Sequence, residues 1–231
     1  MKIKELTLYT SHIGRQAEFY SQVLGLVVVK KSPKNISFQI GYTLLHFELK
    51  KTATPYHFAI NIPANKEEEA LLWLKSRLTI LKDGQDDIIN FTAWNARAIY
   101  FYDPDKNIVE LIARKNLRNG SERNFGPELF LGISEIGIPT SNIENVFSIL
   151  RDAMGIGIYD GGFGNFCAMG NEYGLFICID KAHRRWFPTK DKAFPSEFEL
   201  VLQEKGKQYH VEFNNECIKV VRLNNPNTQK K

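Results

Sequence analysis

The chain has 231 residues, of which 43% are hydrophobic and 24% charged, and its formal net charge is +4. This is ordinary composition for a globular protein, with enough residues for one large or two small domains. The three cysteines share no metal-ligand spacing and suggest a reducing compartment. The basic residues are scattered, and no apolar run has membrane length. The sequence therefore predicts a cytoplasmic protein that binds neither nucleic acid nor membrane.

The chain opens with a motif that is repeated 130 residues later without a gap. The first copy, at 5–25, reads ELTLYTSHIGRQAEFYSQVLG, and the second, at 135–155, reads EIGIPTSNIENVFSILRDAMG. Each copy has an alternating apolar run that begins with Glu, a Thr-Ser-x-Ile turn, and an amphipathic segment that ends at a glycine. This pattern predicts a strand, a turn and a helix with a glycine stop.

A third copy, YHFAINIPANKEEEALLWLKSRL at 56–78, lies between the other two. Strand-like runs follow each predicted helix and are separated by turn signals such as Asp-Pro-Asp-Lys-Asn at 103–107. The repeated unit is therefore predicted to be βαβββ. The last quarter, at 198–223, has two or three hairpin strands and no helix, so it is predicted to be a degenerate fourth module.

Three complete modules are expected at 1–52, 54–115 and about 129–182. The polar stretch KNLRNGSERNFGPE at 115–128 is predicted to be a linker. We therefore expect two domains: residues 1–115, with two paired modules, and residues 129–231, with a second and degenerate pair.

The motifs EFYSQVLGL (18–26), YHFAINIP (56–63), YFYDPDKNIVELI (100–112) and SEIGIP (134–139) resemble the vicinal oxygen chelate superfamily. This superfamily includes glyoxalase I, the fosfomycin and bleomycin resistance proteins, and extradiol dioxygenases. The resemblance covers most of residues 1–182. It implies an α+β fold in which tandem βαβββ modules form curved mixed sheets with the helices outside. One such fold hosts many reactions, so the resemblance is informative about the fold and much less about the chemistry.

The resemblance also implies a metal site built from a first-strand and a last-strand residue of each paired module. In the first two modules these positions are Glu5, His46, His57 and Glu110, with Glu48 as the alternative to His46 because it shares the same strand face. Two imidazoles and two carboxylates suit a divalent transition metal ion such as Fe(II), Mn, Ni, Co or Zn.

Glu135 opens the third module, but Cys178 and Ile179 close that module without a carboxylate. A second metal site is therefore not expected there. Glu135 is predicted instead to pair with a basic residue or to cap the cavity of the second half.

Other candidate residues concern the substrate. Arg97 and Tyr100 lie on the strands before Glu110 and are predicted to line a substrate pocket, although aromatic strand residues are usually core. Glu5 is the predicted catalytic base, because it replaces a neutral ligand. The segment HRRWFP at 183–188 either receives an anionic substrate or covers a sheet edge, and the second role is favoured.

Two functions remain open at this point. The first is a metal-dependent enzyme that acts on a small substrate with adjacent oxygens, through ring cleavage, isomerisation or lyase chemistry. The second is a metal-free protein that sequesters a small aromatic or antibiotic-like molecule. Both functions predict a small-molecule partner, and both leave a homodimer open.

Overall fold

A computed structural model describes residues 1–224 of the chain. Residues 225–231, at the end of the predicted second domain, lie outside this range. The strands are β1 (Lys2–Thr10), β2 (Val27–Lys31), β3 (Asn35–Ile40), β4 (Thr43–Leu49), β5 (His57–Ile62), β6 (Ile80–Leu81), β7 (Ile89–Phe91), β8 (Ala96–Tyr102), β9 (Ile108–Arg114), β10 (Gly132–Thr140), β11 (Ile158–Gly162), β12 (Phe166–Asn171), β13 (Gly174–Asp180), β14 (Phe198–Glu204), β15 (Lys207–Asn214) and β16 (Cys217–Leu223). The helices are α1 (Ile13–Glu18), α2 (Glu67–Lys75) and α3 (Ile143–Met154), and α1 continues as a π-helical segment over Phe19–Val23.

The strands form two mixed sheets. The first sheet has the order β16-β15-β14-β1-β4-β3-β2, and the second has the order β11-β12-β13-β10-β5-β9-β8-β6, with β7 paired to β8. The predicted fold class is confirmed: tandem βαβββ modules form curved mixed sheets with the helices outside. The last quarter is degenerate as predicted, because β14, β15 and β16 follow one another without a helix. No helix within residues 1–224 is long and apolar enough to cross a membrane.

The modules pair in an order that differs from the predicted one. The opening strand of module one, β1, pairs antiparallel with β14 of the last quarter, and β5 of module two pairs antiparallel with β10 of module three. Each sheet therefore takes strands from both predicted domains, 1–115 and 129–231. An opening strand has one edge occupied by the last strand of its own module, and its other edge is free to accept an opening strand of any other module. Local sequence does not encode that choice.

One large apolar core is formed by residues of both sheets together with the buried sides of the helices. It contains Leu6 and Phe47 of the first sheet, Phe58 of the second, and helix residues such as Leu74 and Leu150. The opposite face of the second sheet carries its own apolar cluster, so β5, β9 and β10 are buried along their whole length. The opposite face of the first sheet is partly exposed. The second sheet therefore offers the more shielded face for a functional site.

A buried carboxylate, Asp103, joins the first two modules. Its side chain accepts hydrogen bonds from Gln16 (3.1 Å) and Tyr20 (3.0 Å) of module one. Asn107 donates to it twice, through its side chain (2.7 Å) and its backbone N–H (3.0 Å), and the backbone N–H of Asp105 donates at 3.0 Å. Burial raises the pKa of Asp103 to about 6, although these hydrogen bonds act in the opposite direction.

The pKa of Asp103 predicts a pH dependence of stability. The folded-state pKa exceeds the ordinary value of 3.8, so the folded protein holds this proton more tightly than the unfolded chain does. The contribution of Asp103 to the free energy of unfolding should therefore fall by about 3 kcal/mol as the pH rises from about 4 to about 6. Urea unfolding of the wild type and of Asp103→Asn across this range measures the difference, with the exposed Asp152→Asn as control. Identical pH slopes for the wild type and Asp103→Asn would contradict the assignment.

Candidate metal centre

Three ligand-type side chains meet around Ala59 on the shielded face of the second sheet. Ala59 pairs with Glu110 of β9 on one side and with Glu135 of β10 on the other. His57 lies two residues before Ala59 on β5 and therefore shares its face. The small side chain of Ala59 leaves room for both carboxylates to lean toward each other. Within residues 1–224, His57, Glu110 and Glu135 are the one group of three whose ligand atoms all lie within 4.8 Å of one another.

The imidazole of His57 is held in one orientation. Its Nδ1 lies 3.2 Å from the backbone carbonyl of Ile108, which can only accept, so Nδ1 carries the hydrogen. Nε2 lies 3.6 Å from Glu110 Oε2 and 3.7 Å from Glu135 Oε2. A histidine fixed through one nitrogen with the other nitrogen free is the usual arrangement of a metal ligand.

Several titratable side chains are buried close together around His57. Burial raises the pKa of Glu110 well above its ordinary value, and the nearby negative charge of Glu135 raises it further. Tyr100 pairs with Glu110 across β8 and β9. Burial, and next the charge of Glu110, raise the pKa of Tyr100 well above its usual value, so this phenol stays neutral and is a hydrogen-bond donor.

Arg114 supplies the compensating positive charge. Its side chain is fully buried, and its guanidinium forms an ion pair with Oε1 of Glu135. Its Nε donates to the side-chain oxygen of Asn61 at 3.2 Å. Arg114 thus occupies one oxygen of Glu135, while the other oxygen faces His57. With one arginine against two carboxylates, the cluster has an excess negative charge when both carboxylates are ionised, which a cation would offset.

The three side chains lie in the wall of a cavity of about 490 Å³. Aromatic residues form much of the remaining wall: Phe91, Trp94, Tyr100, Phe166, Trp186 and Phe187. Trp186 lies over His57, with ring centroids 4.9 Å apart, and its side chain fills the space above Gly137, where a Cβ atom would lie 2.6 Å from the indole. Trp186 comes from the loop between β13 and β14, so this loop covers one side of the His57, Glu110 and Glu135 cluster and limits access of water.

The structure does not bring Glu5 and His46 to this cavity. Both lie on the first sheet, where His46 Nε2 is 3.6 Å from Glu5 Oε2, and Glu48 lies farther along β4. The prediction that all four residues share one cavity is therefore corrected: the set is divided into two pairs, His57 with Glu110 at the cavity and Glu5 with His46 on the first sheet. The role of Glu5 as catalytic base stays a prediction, and the structure places Glu5 away from this cavity. The cause is the pairing of β5 with β10, where pairing of modules one and two was expected.

The two predicted substrate residues lie on opposite faces of β8, because side chains alternate along a strand. Tyr100 lines the cavity as predicted. Arg97 lies on the opposite face of β8, where it forms ion pairs with Glu67 (3.0 Å) and Glu68 (2.8 Å) of α2. Tyr100 lies three positions after Arg97, and this odd offset puts their side chains on opposite faces of the strand, so Arg97 does not reach the cavity.

Glu135 pairs with a basic residue, Arg114, as the sequence predicted, but its place beside His57 and Glu110 was not predicted. Arg114 was not predicted as a site residue either, although an arginine at the end of the apolar run NIVELIAR is a signal for a buried ion pair. The position in β13 that corresponds to Glu110 is Ile177, since Ile177 pairs with Gly137 as Glu110 pairs with Ala59. The cluster therefore offers three side chains that could act as metal ligands.

The fold is that of the vicinal oxygen chelate superfamily in its tandem-module form, which the sequence motifs also resemble. The chain is 28% identical over 118 residues to the metallothiol transferase FosB of Staphylococcus epidermidis, across 47% of this chain and 81% of that protein. FosB of Staphylococcus haemolyticus is 29% identical over the same length. A putative dioxygenase from Bacillus subtilis has the same fold over 96% of this chain and 84% of its own, with a TM-score of 0.63 and 15% identity. No family model matches the chain.

Proposed function

We propose that this chain is a metal-dependent enzyme of the glyoxalase and dioxygenase type that acts on a small substrate with two neighbouring oxygens. The observation that carries the proposal is the convergence of His57 Nε2 with the two buried carboxylates. Ligand atoms about 2.1 Å from one ion lie roughly 3.0–3.4 Å apart, and the observed 3.6 and 3.7 Å are close to that spacing. The sequence relatives are named metallothiol transferases, which agrees with a metal-dependent reaction.

The donor set fits a divalent transition metal ion such as Fe(II), Mn, Ni, Co or Zn, held by His57, Glu110 and Glu135. When bound, such an ion acts as a Lewis acid on the two substrate oxygens. Other side chains of the protein support this chemistry. Arg114 fixes Glu135, Tyr100 offers a neutral hydroxyl beside Glu110, and Trp186 shields the site from water. The aromatic wall of the cavity favours a flat ring, so ring cleavage of a vicinal aromatic diol is the reaction to test first.

A second function, metal-free sequestration of a small aromatic molecule, is favoured by one observation. Arg114 already neutralises Glu135, and Glu110 with its raised pKa can hold a proton, so the cluster reaches charge balance without an ion. The same aromatic cavity would then bind its ligand by stacking and burial alone.

Metal analysis and turnover separate the two functions. We expect the purified protein to hold about one tightly bound transition metal ion per chain, and Glu110→Gln to lose it together with activity on a panel of catechols and hemithioacetals tested with Fe(II), Mn, Ni and Zn. Glu48→Gln, an exposed glutamate of the first sheet, is the matched control and should change neither. Turnover that persists in Glu110→Gln contradicts the proposed site. Tight binding of a small aromatic molecule to metal-free protein, without turnover, supports sequestration.

A further inference from the structure

Two arginines line the cavity that contains the proposed metal centre. Arg184 and Arg185 line it from the loop between β13 and β14, next to Trp186, and both side chains are exposed. Throughout residues 1–224, no carboxylate oxygen lies within 4.0 Å of either guanidinium. Most other charged groups of this wall are already engaged: Glu135 by Arg114, and Asp160 by the indole N–H of Trp94 at 2.6 Å.

Arg184 is held in place by an aromatic ring of the same wall. Its guanidinium carbon lies 4.8 Å from the ring centroid of Phe166, which is a cation–π contact. The N–H groups of a guanidinium form a fork that matches the two oxygens of a carboxylate. Arg184 is therefore oriented at the cavity before any ligand arrives.

The charges around the cavity point to an anionic ligand. When Glu110, Glu135 and Asp160 are all ionised, Arg114, Arg184 and Arg185 balance them, so a bound divalent ion would leave an excess of two positive charges. A vicinal aromatic diol that has lost one proton supplies a single negative charge. A second negative group on the same molecule, at the end away from the two oxygens, would complete the balance and meet Arg184 and Arg185.

We infer that Arg184 and Arg185 form an anion subsite, and that the substrate is an aromatic vicinal diol with a carboxylate at its far end. This inference rests on the proposed function, because that function places the two oxygens at His57, Glu110 and Glu135. The inference also assigns a role in substrate binding to the HRRWFP segment. This was the less favoured of the two roles that the sequence predicted for it.

A charge series of equal-sized ligands tests the inference. 3,4-Dihydroxyphenylacetate is anionic, 4-ethylcatechol is neutral and dopamine is cationic, while the diol is the same in all three. We expect the protein as purified with its metal to bind the anion about 10-fold more tightly than the neutral ligand, and the cation more weakly than both, in anaerobic calorimetry. Added salt should reduce the preference for the anion.

The double variant Arg184→Gln/Arg185→Gln should lose the preference for the anion and leave the affinity for 4-ethylcatechol unchanged. Arg222→Gln, an exposed arginine of the first sheet, is the matched control and should behave as the wild type does. Turnover without any charge preference overturns the anion subsite and leaves the proposed function standing. Anion-selective binding without turnover of any diol supports the subsite while the proposed enzyme function fails. Equal binding of all three ligands by the wild type also overturns the subsite.

Discussion

Replacing His57 with alanine is expected to weaken metal binding by more than about 100-fold and to remove any metal-dependent turnover. Changes to groups that merely orient a ligand already cost 10- to 100-fold in affinity, and His57 supplies the one imidazole of the centre. The two remaining carboxylates would hold a transition metal weakly, since imidazole is the ligand that suits these ions. Metal content after dialysis and a competition titration with a chromogenic chelator measure the loss.

His46→Ala is the informative control for this variant. His46 was predicted from the sequence as a ligand of the same ion, but it lies on the first sheet beside Glu5. His46→Ala should therefore keep the metal content and affinity of the wild type. Loss of metal from His46→Ala with retention in His57→Ala would show that the metal site lies on the first sheet and that the proposed centre is wrong.

The second large effect is a loss of stability on replacing Arg114. Arg114→Met removes the positive partner of Glu135 in a fully buried place and leaves an uncompensated charge. Removing one partner of a buried ion pair costs about 3–5 kcal/mol of unfolding free energy. Because methionine fills much of the volume of the arginine side chain, the loss reports the charge more than the packing. Urea unfolding of metal-free protein provides the measurement.

Two further variants identify the cause of that loss. Arg114→Met/Glu135→Gln removes both charges and should recover part of the lost stability, which gives a favourable coupling between the two positions in a double-mutant cycle. Arg151→Met, which breaks an exposed ion pair with Asp152, should stay within about 0.5 kcal/mol of the wild type. Equal costs at Arg114 and Arg151 would mean that the buried pair does not stabilise the site.

Local patterns in the sequence were sufficient for the modules themselves. The gapless repeat between residues 5–25 and 135–155 predicted two strand-turn-helix units, and the structure has them as β1 with α1 and as β10 with α3. Alternation and turn signals predicted the βαβββ unit and the last quarter without a helix. These features depend on residues close in sequence, whose backbone preferences and apolar periodicity are local properties.

Local sequence patterns did not predict how the candidate metal centre assembles. Which opening strand pairs with which is decided by the burial of whole sheet faces and by long-range edge pairing, and the four opening strands look alike at the level of local pattern. Pairing of β5 with β10 placed Glu135 beside His57 and Glu110, and pairing of β1 with β14 took Glu5 and His46 to the other sheet. The sequence by itself determined the ligand types and their positions within each module. The tertiary structure decided which of those positions share one cavity, because a site between modules exists only once two sheet edges have joined.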